Sequence, residues 1–165
     1  MTTERNTRPA DYPAAIMPML AYEDGVAAIN FLRDAFGFTE RMRLTGDDGL
    51  IGHAELALGD AVIALATPAG IGYESPKHHR EHCTVAMRWT EQPWVVNGLM
   101  IYVDDVDAHA RRAEEAGAQL LSQPTDEPYG VRSYRVEDLE GHRWMFSQHL
   151  HDTKPEDWGA TTPEK

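Results

Sequence analysis

The alternation of apolar and polar positions divides the chain into two series of elements in the same order. AAIMPMLA (14–21) is a short apolar run and predicts a strand. Asp24 then caps a helix over about 25–36, whose apolar positions Val26, Ile29, Phe31, Leu32, Ala35 and Phe36 fall largely on one face. Gly37 stands where a left-handed C-terminal residue belongs. FTERMRL (38–44) alternates as a strand does, and TGDDG (45–49) is a turn. LIGHAELAL (50–58) and AVIALAT (61–67) form a hairpin about Gly59-Asp60. The second series begins with VNGLMIYV (96–103) as a strand. Asp104 or Asp105 caps a helix to about residue 116, and Gly117 ends it. AQLLS (118–122) is a strand and QPTDEPYG (123–130) a loop rich in turn formers. VRSYRVE (131–137) and HRWMFSQHL (142–150) close the series as a hairpin.

The second series repeats the first in residues as well as in order. Asp24, Ala27, Leu58 and Ala64 recur as Asp105, Ala108, Leu139 and Met145, each 81 positions later. Repetition at this length signals a duplicated supersecondary unit. The expected architecture is α+β: tandem βαβββ units over 14–67 and 96–150, joined by a connection over 68–95. A polar arm (1–13) precedes them, and a polar, loose tail (151–165) follows.

Composition narrows the functional classes. At 165 residues and 42% hydrophobic, the chain has enough apolar material for a packed core. A net charge of −12 without a basic stripe argues against nucleic acid. No apolar run approaches the ~18–20 residues that cross a membrane, and MTTERNTRPADYP lacks a signal peptide's apolar stretch. The lone Cys83 has no partner for an internal disulfide, which suits a reducing cytosol, so a cytoplasmic location is expected.

The doubled βαβββ pattern, the Asp-capped helices and the run YGVRSYRVEDLEGHRWMF (129–146) resemble the vicinal oxygen chelate superfamily. That group holds glyoxalase I, extradiol dioxygenases and the fosfomycin and bleomycin resistance proteins. The resemblance covers roughly residues 14–150, with Leu139 in place of a common proline. It implies sheets curled into an open half-barrel with a small-molecule site on the concave side, and a homodimer. In metal-dependent members, the first and last strands of each unit supply the ligands. Matching the motifs puts those positions at Met17, Ala64, Gly98 and Met145, loosely for Met17 and Gly98. Thioether favours soft Cu(I), and Ala and Gly offer no side-chain donor. No metal and no cofactor is therefore expected at the family's usual positions.

Strand parity then selects the cleft. An even loop count at 59–60 places Ala64 on one face with His53 and Glu55, and leaves Ala54, Leu56, Leu58, Ile63 and Leu65 on the helix side. An even count in the second hairpin puts Arg132, Tyr134 and Val136 with Met145, Ser147 and His149; an odd count flips the set. Arg135 and Glu137 then share the other face as mutual partners. The expected cleft holds His53, Glu55, Arg132, Tyr134 and His149, with Met17, Met19, Met100 and Met145 as its apolar walls, although core filler is the commoner role of methionine. His53 suits a general base, since imidazole ordinarily titrates at roughly pH 6.5. Arg132 with Tyr134 suits an oxyanion. A relocated metal site at His53, Glu55 and His149 is the alternative in ligand type.

The run PKHHREHC (76–83) offers His78, His79 and His82 as metal ligands, with His78 and His82 one helical turn apart, but its charged flanks and the lack of a second ligand cluster favour a solvated segment. Trp89 and Trp94 suit anchors across a cleft or an interface. Three functions remain open. One is a metal-independent small-molecule binder. The second is a lyase, isomerase or dioxygenase-type enzyme using His53 and Glu55 or relocated metal ligands. The third is a structural or regulatory partner domain.

Overall fold

The computed structural model describes residues 16–92 and 97–163. The arm over 1–13, Trp94 and the first residues of the two leading strands lie outside them. The described chain runs β1 (Met19–Ala21), α1 (Gly25–Phe36), β2 (Thr39–Thr45), β3 (Ile51–Leu58) and β4 (Ala61–Ala66). Two short helices follow, α2 (Pro76–His82) and α3 (Thr84–Met87), and then a 3-10 turn over Arg88–Glu91. The second unit is β5 (Gly98–Tyr102), α4 (Val106–Glu115), β6 (Gln119–Glu127), β7 (Val131–Glu137) and β8 (Arg143–His149). The architecture is α+β, with two four-stranded mixed sheets in the orders β1-β4-β3-β2 and β5-β8-β7-β6. In each, the first strand pairs parallel to the last and the rest are antiparallel. Contacts group the residues up to Arg33 and Gly37–Tyr73 as one unit, and Asp34–Phe36 with Glu74 onward as the other.

The helix caps are where the repeat is most literal. Asp24 Oδ1 accepts from Ala27 N and Asp105 Oδ1 from Ala108 N, both at 2.9 Å. Each satisfies a donor that the first helical turn leaves unpaired. Gly37 ends α1 at φ 82°, a left-handed conformation that costs a residue with Cβ. The buried side of α1 is Ala28, Ile29, Leu32, Ala35 and Phe36; Val26 is exposed. In the first sheet Ala54, Leu56, Ile63 and Leu65 are buried on one face, and the two-residue turn at 59–60 pairs Leu56 with Ile63 and Ala54 with Leu65. In the second unit the small Val106, Ala110 and Ala113 of α4 leave room for Tyr134, Trp144 and Phe146. Trp144 and Phe146 lie parallel at 6.2 Å, and Tyr134 stacks on Phe146 at 5.6 Å.

Three expectations are corrected. The loop expected over 123–130 is mostly strand: β6 reaches Glu127. Pro124 is accommodated because β6 is an edge strand with irregular register between Leu120 and Thr125, so its missing N–H breaks no ladder bond. The tail is tied down as far as Trp158. Leu150 N and His151 N donate to Gly130 O, and Trp158 meets Tyr129 edge-on at 5.8 Å. Most consequentially, the loop of the second hairpin holds five residues, 138–142, between the closing pair Glu137 and Arg143. An odd count reverses the expected faces. Met145 is opposite Arg135 and Ser147 opposite Ser133, whereas Tyr134 is opposite Phe146 and Arg132 opposite Gln148.

Candidate functional site

In the first unit, the strand face turned away from the buried apolar set carries the expected polar pair. Glu55 is the cross-strand partner of Ala64, which lies beside Met19 of β1. His53 Nε2–H donates to Glu55 Oε1 at 3.3 Å. Glu55 is 5% exposed, and its other oxygen lies 3.4 Å from Arg41 Nη1. Arg41 reaches this face because β2 shifts register between Glu40 and Met42, a bulge that leaves no mark in the sequence. Beyond the bulge Met42 pairs with Glu55 and Leu44 with His53. Met19, Met42 and Leu44 are exposed, Met19 by 78%. The result is an open apolar surface around a buried carboxylate that holds one imidazole and one guanidinium.

In the second unit the corresponding face carries Met100, Met145, Ser133, Ser147, Arg135 and His149. Met100 is 49% exposed and Met145 half-buried. Core filling therefore does not describe Met19 or Met100. Arg135 pairs with Glu127 at 3.3 Å, while both oxygens of Glu137 accept from Arg80 and Arg143. His149 is exposed, 3.1 Å from Asp152. Ser147 Oγ is buried without a hydrogen-bond partner.

Arg132 and Tyr134 move to the helix side. Arg132 makes a two-pronged contact to Asp107 (Nε to Oδ2 2.9 Å, Nη2 to Oδ1 3.0 Å) and donates to Asp126 Oδ1 at 2.7 Å. That guanidinium is already saturated by carboxylates, and it holds the Asp107 carboxyl below the usual carboxylate range. Tyr134 is fully buried, and burial raises its phenol, so it remains a donor. Its O–H meets His109 Nδ1 at 2.7 Å, while His109 Nε2 lies 2.9 Å from Phe36 O. A carbonyl only accepts, so Nε2 carries the proton and Nδ1 accepts from Tyr134.

Burial lowers the His109 pKa, opposed by the Phe36 bond and reinforced by Arg112. The folded protein therefore binds this proton less readily than the unfolded chain. The stabilisation is complete above roughly pH 6.5 and is lost as pH falls from there toward the depressed folded value. Melting curves from pH 7.5 to 5 are expected to show this loss in the wild type and a smaller one in His109→Phe; equal slopes would exclude His109 as its source.

The metal positions that the family resemblance implies do not fit an ion. The register identifies them as Met19 beside Ala64 and Met100 beside Met145, two residues beyond Met17 and Gly98 on the same strand faces. Two thioethers, one methyl and one more thioether supply no nitrogen or oxygen for a divalent cation.

The connection brings the histidines of PKHHREHC together with Glu74. Ser75 caps α2, accepting from His78 N. Glu74 Oε2 then lies 3.0 Å from His82 Nε2 and 3.2 Å from His79 Nδ1. The missed signal is the spacing: Glu74, His78 and His82 are each four residues apart. The segment is pinned to the second unit. Arg80 donates both Nη atoms to Glu137 at 2.9 and 2.8 Å, Lys77 N donates to Glu140 O, and Arg143 donates to Trp89 O and Gln92 O. Separately, a groove lined by Glu23–Val26, Gly49–Ile51 and Thr67 lies at the start of α1, and none of the expected site residues lines it. Among the described residues no helix is long and apolar enough to cross a membrane.

Comparison with known proteins agrees with this arrangement. TioX from Micromonospora sp. ML1 is 31% identical, with a TM-score of 0.61 over 83% of this chain and 99% of its own. The uncharacterized protein Rv0887c of Mycobacterium tuberculosis (strain ATCC 25618 / H37Rv) is 31% identical over 136 residues, 81% of this chain and 74% of its own. The fosfomycin resistance protein FosX from Mesorhizobium loti shares the fold at 15% identity and a TM-score of 0.51, over 83% of this chain and 92% of its own. The family model for the glyoxalase/bleomycin resistance protein/dioxygenase superfamily matches residues 15–146, and the chain belongs to that superfamily.

Proposed function

We propose that this protein binds a small organic molecule on the strand faces opposite its helices, without the family's metal. One observation carries the reading. The two positions matched across the repeat, Met19 and Met100, hold exposed, adaptable thioether side chains where metal-dependent relatives need donors. On the same sheet, beyond the two central strands, the exposed Met42 and Leu44 offer further apolar surface, and His53 beside Glu55 offers polar anchoring. The favoured ligand has an apolar body and a polar group directed at the His53 imidazole, which is the exposed member of the pair.

Calorimetric titration with a panel of aromatic and peptide antibiotics, bleomycin included, tests this. Binding is expected, and Met19→Asp should weaken it by about tenfold or more through a charge set in an apolar contact. The melting temperature of that variant should hold, because Met19 is exposed. Binding unchanged in Met19→Asp and Met100→Asp would remove these faces from consideration. The second reading is a metal-free lyase or isomerase, favoured by the 3.3 Å His53–Glu55 pair. It requires that a bound compound be consumed in many-fold molar excess, and that turnover disappear in His53→Ala and Glu55→Gln.

A further inference from the structure

We infer that Glu74, His78 and His82 form a divalent-cation site of the zinc or nickel class, outside the family's ligand positions and independent of the proposed small-molecule face. One ligand atom from each residue lies within 4.8 Å of the other two. Ligands around a tetrahedral ion at ~2.1 Å stand about 3.4 Å apart, so closure needs only small rotations of the two exposed imidazoles and the half-buried carboxylate. The chemistry of the set is two imidazole nitrogens and one carboxylate oxygen, which suits a borderline ion and leaves one position for water.

The geometry follows from the local sequence. Pro76 and the Ser75 cap start α2, and the four-residue step turns both imidazoles to one side, with ring centres 6.0 Å apart. Glu74 stands just before the cap, and its Oε2 is 3.0 Å from the His82 ring nitrogen. His79 Nδ1–H donates to the same oxygen at 3.2 Å, and its ring lies 6.4 Å from that of Trp89. His79 is thus a positioning residue that orients the carboxylate from behind, as partners of metal-binding groups do. The Arg80–Glu137 pair and the Lys77–Glu140 bond fix α2, so the ligands are held on an anchored element. A bound ion would replace the Glu74–His82 contact by coordinate bonds and tie both turns of α2 to the residue before its cap, with the His79 bond to Glu74 retained.

Untagged protein titrated with Zn2+ against a chromophoric chelator is expected to bind one equivalent, with Mg2+ giving no competition because it prefers oxygen ligands. His78→Ala and His82→Ala should each weaken Zn2+ by about tenfold or more, Glu74→Gln should weaken it measurably, and His151→Ala should not. In the wild-type chain, Zn2+ should also shield His78 and His82 from diethylpyrocarbonate, read by peptide mass spectrometry. That readout needs no variant to fold. No Zn2+ binding up to millimolar concentration, or binding unchanged in the His78→Ala/His82→Ala double variant, would overturn the site.

Discussion

Glu137→Ala is expected to lower the unfolding free energy by about 3–5 kcal/mol, the usual cost of removing one partner from a buried ion pair. The side chains of Glu137 and Arg143 are 4% and 3% exposed, and that of Arg80 is 11% exposed. Glu137 Oε1 accepts from Arg143 Nε at 3.1 Å and from Arg80 Nη1 at 2.9 Å, and Oε2 accepts from Arg80 Nη2 at 2.8 Å. Without the carboxylate, two guanidiniums stay out of water with no anion between them. Arg143 still donates to the carbonyls of Trp89 and Gln92, which do not neutralise it. A chain of this size should lose roughly 6 °C or more in melting temperature. Glu137→Gln retains an acceptor and should lie between. The exposed pair Arg43–Glu40 is the control. Although it is bidentate, its loss should cost at most about 1 kcal/mol, because solvent screens it. Hydrogen exchange separates this account from a general loosening. Amides over 76–91 should exchange faster in Glu137→Ala than those of β3 and β4, because Arg80 and Arg143 are the ties that dock the segment.

What the sequence made legible was local. Two aspartates, each three residues before a free helical N–H, announced both helices. A Gly-Asp turn of two residues fixed the first hairpin, and with it the placement of His53 and Glu55 beside Ala64. The misreadings have physical causes at named residues. Pro124 looks like a strand breaker, and is one in a sheet interior, but β6 is an edge. The bulge that delivers Arg41 to Glu55 depends on pairing between strands, which no single strand encodes. The docking of 74–92 rests on Arg80 finding Glu137, 57 residues away, and charged residues in a polar run look solvated until that partner is known. Glu74 is different. Its four-residue spacing to His78 and His82 is plain in the sequence, but Glu74 precedes the helix, so only the Ser75 cap geometry shows that its carboxylate reaches the His82 ring.

The second large effect is expected at Asp138, whose carboxylate braces the loop that sets the register of the second hairpin. Asp138 is 5% exposed, and its carboxylate is the hub of the five-residue loop. Oδ1 accepts from Glu140 N at 3.1 Å and His142 N at 3.0 Å, and Oδ2 accepts from Trp144 Nε1 at 3.1 Å. The first two bonds shape the loop, with Gly141 at φ 88° taking the turn. The third locks Trp144 onto the core face and so commits Tyr134 and Phe146 to that face and Met145 to the other. Asp138→Ala strips an ionised acceptor from three donors, two of them near or within the core. Bonds to charged groups contribute ~1.5–3 kcal/mol each but not additively, so a loss of about 3–4 kcal/mol is expected in urea unfolding. Asp138→Asn should cost less, since its carbonyl can still serve both backbone donors while its amide faces the indole N–H donor to donor. The near-ultraviolet signal of the tryptophans should change in both variants. Deleting Leu139 is the stricter test: keeping the Glu137–Arg143 pair would compress the loop around Asp138 to four residues, and slipping the register by one would put Ser133 and Arg135 in the core in place of Tyr134 and Val136, so a large loss of stability is expected either way. A folded deletion variant with Tyr134 still buried would show that core packing, and not the loop, sets the register.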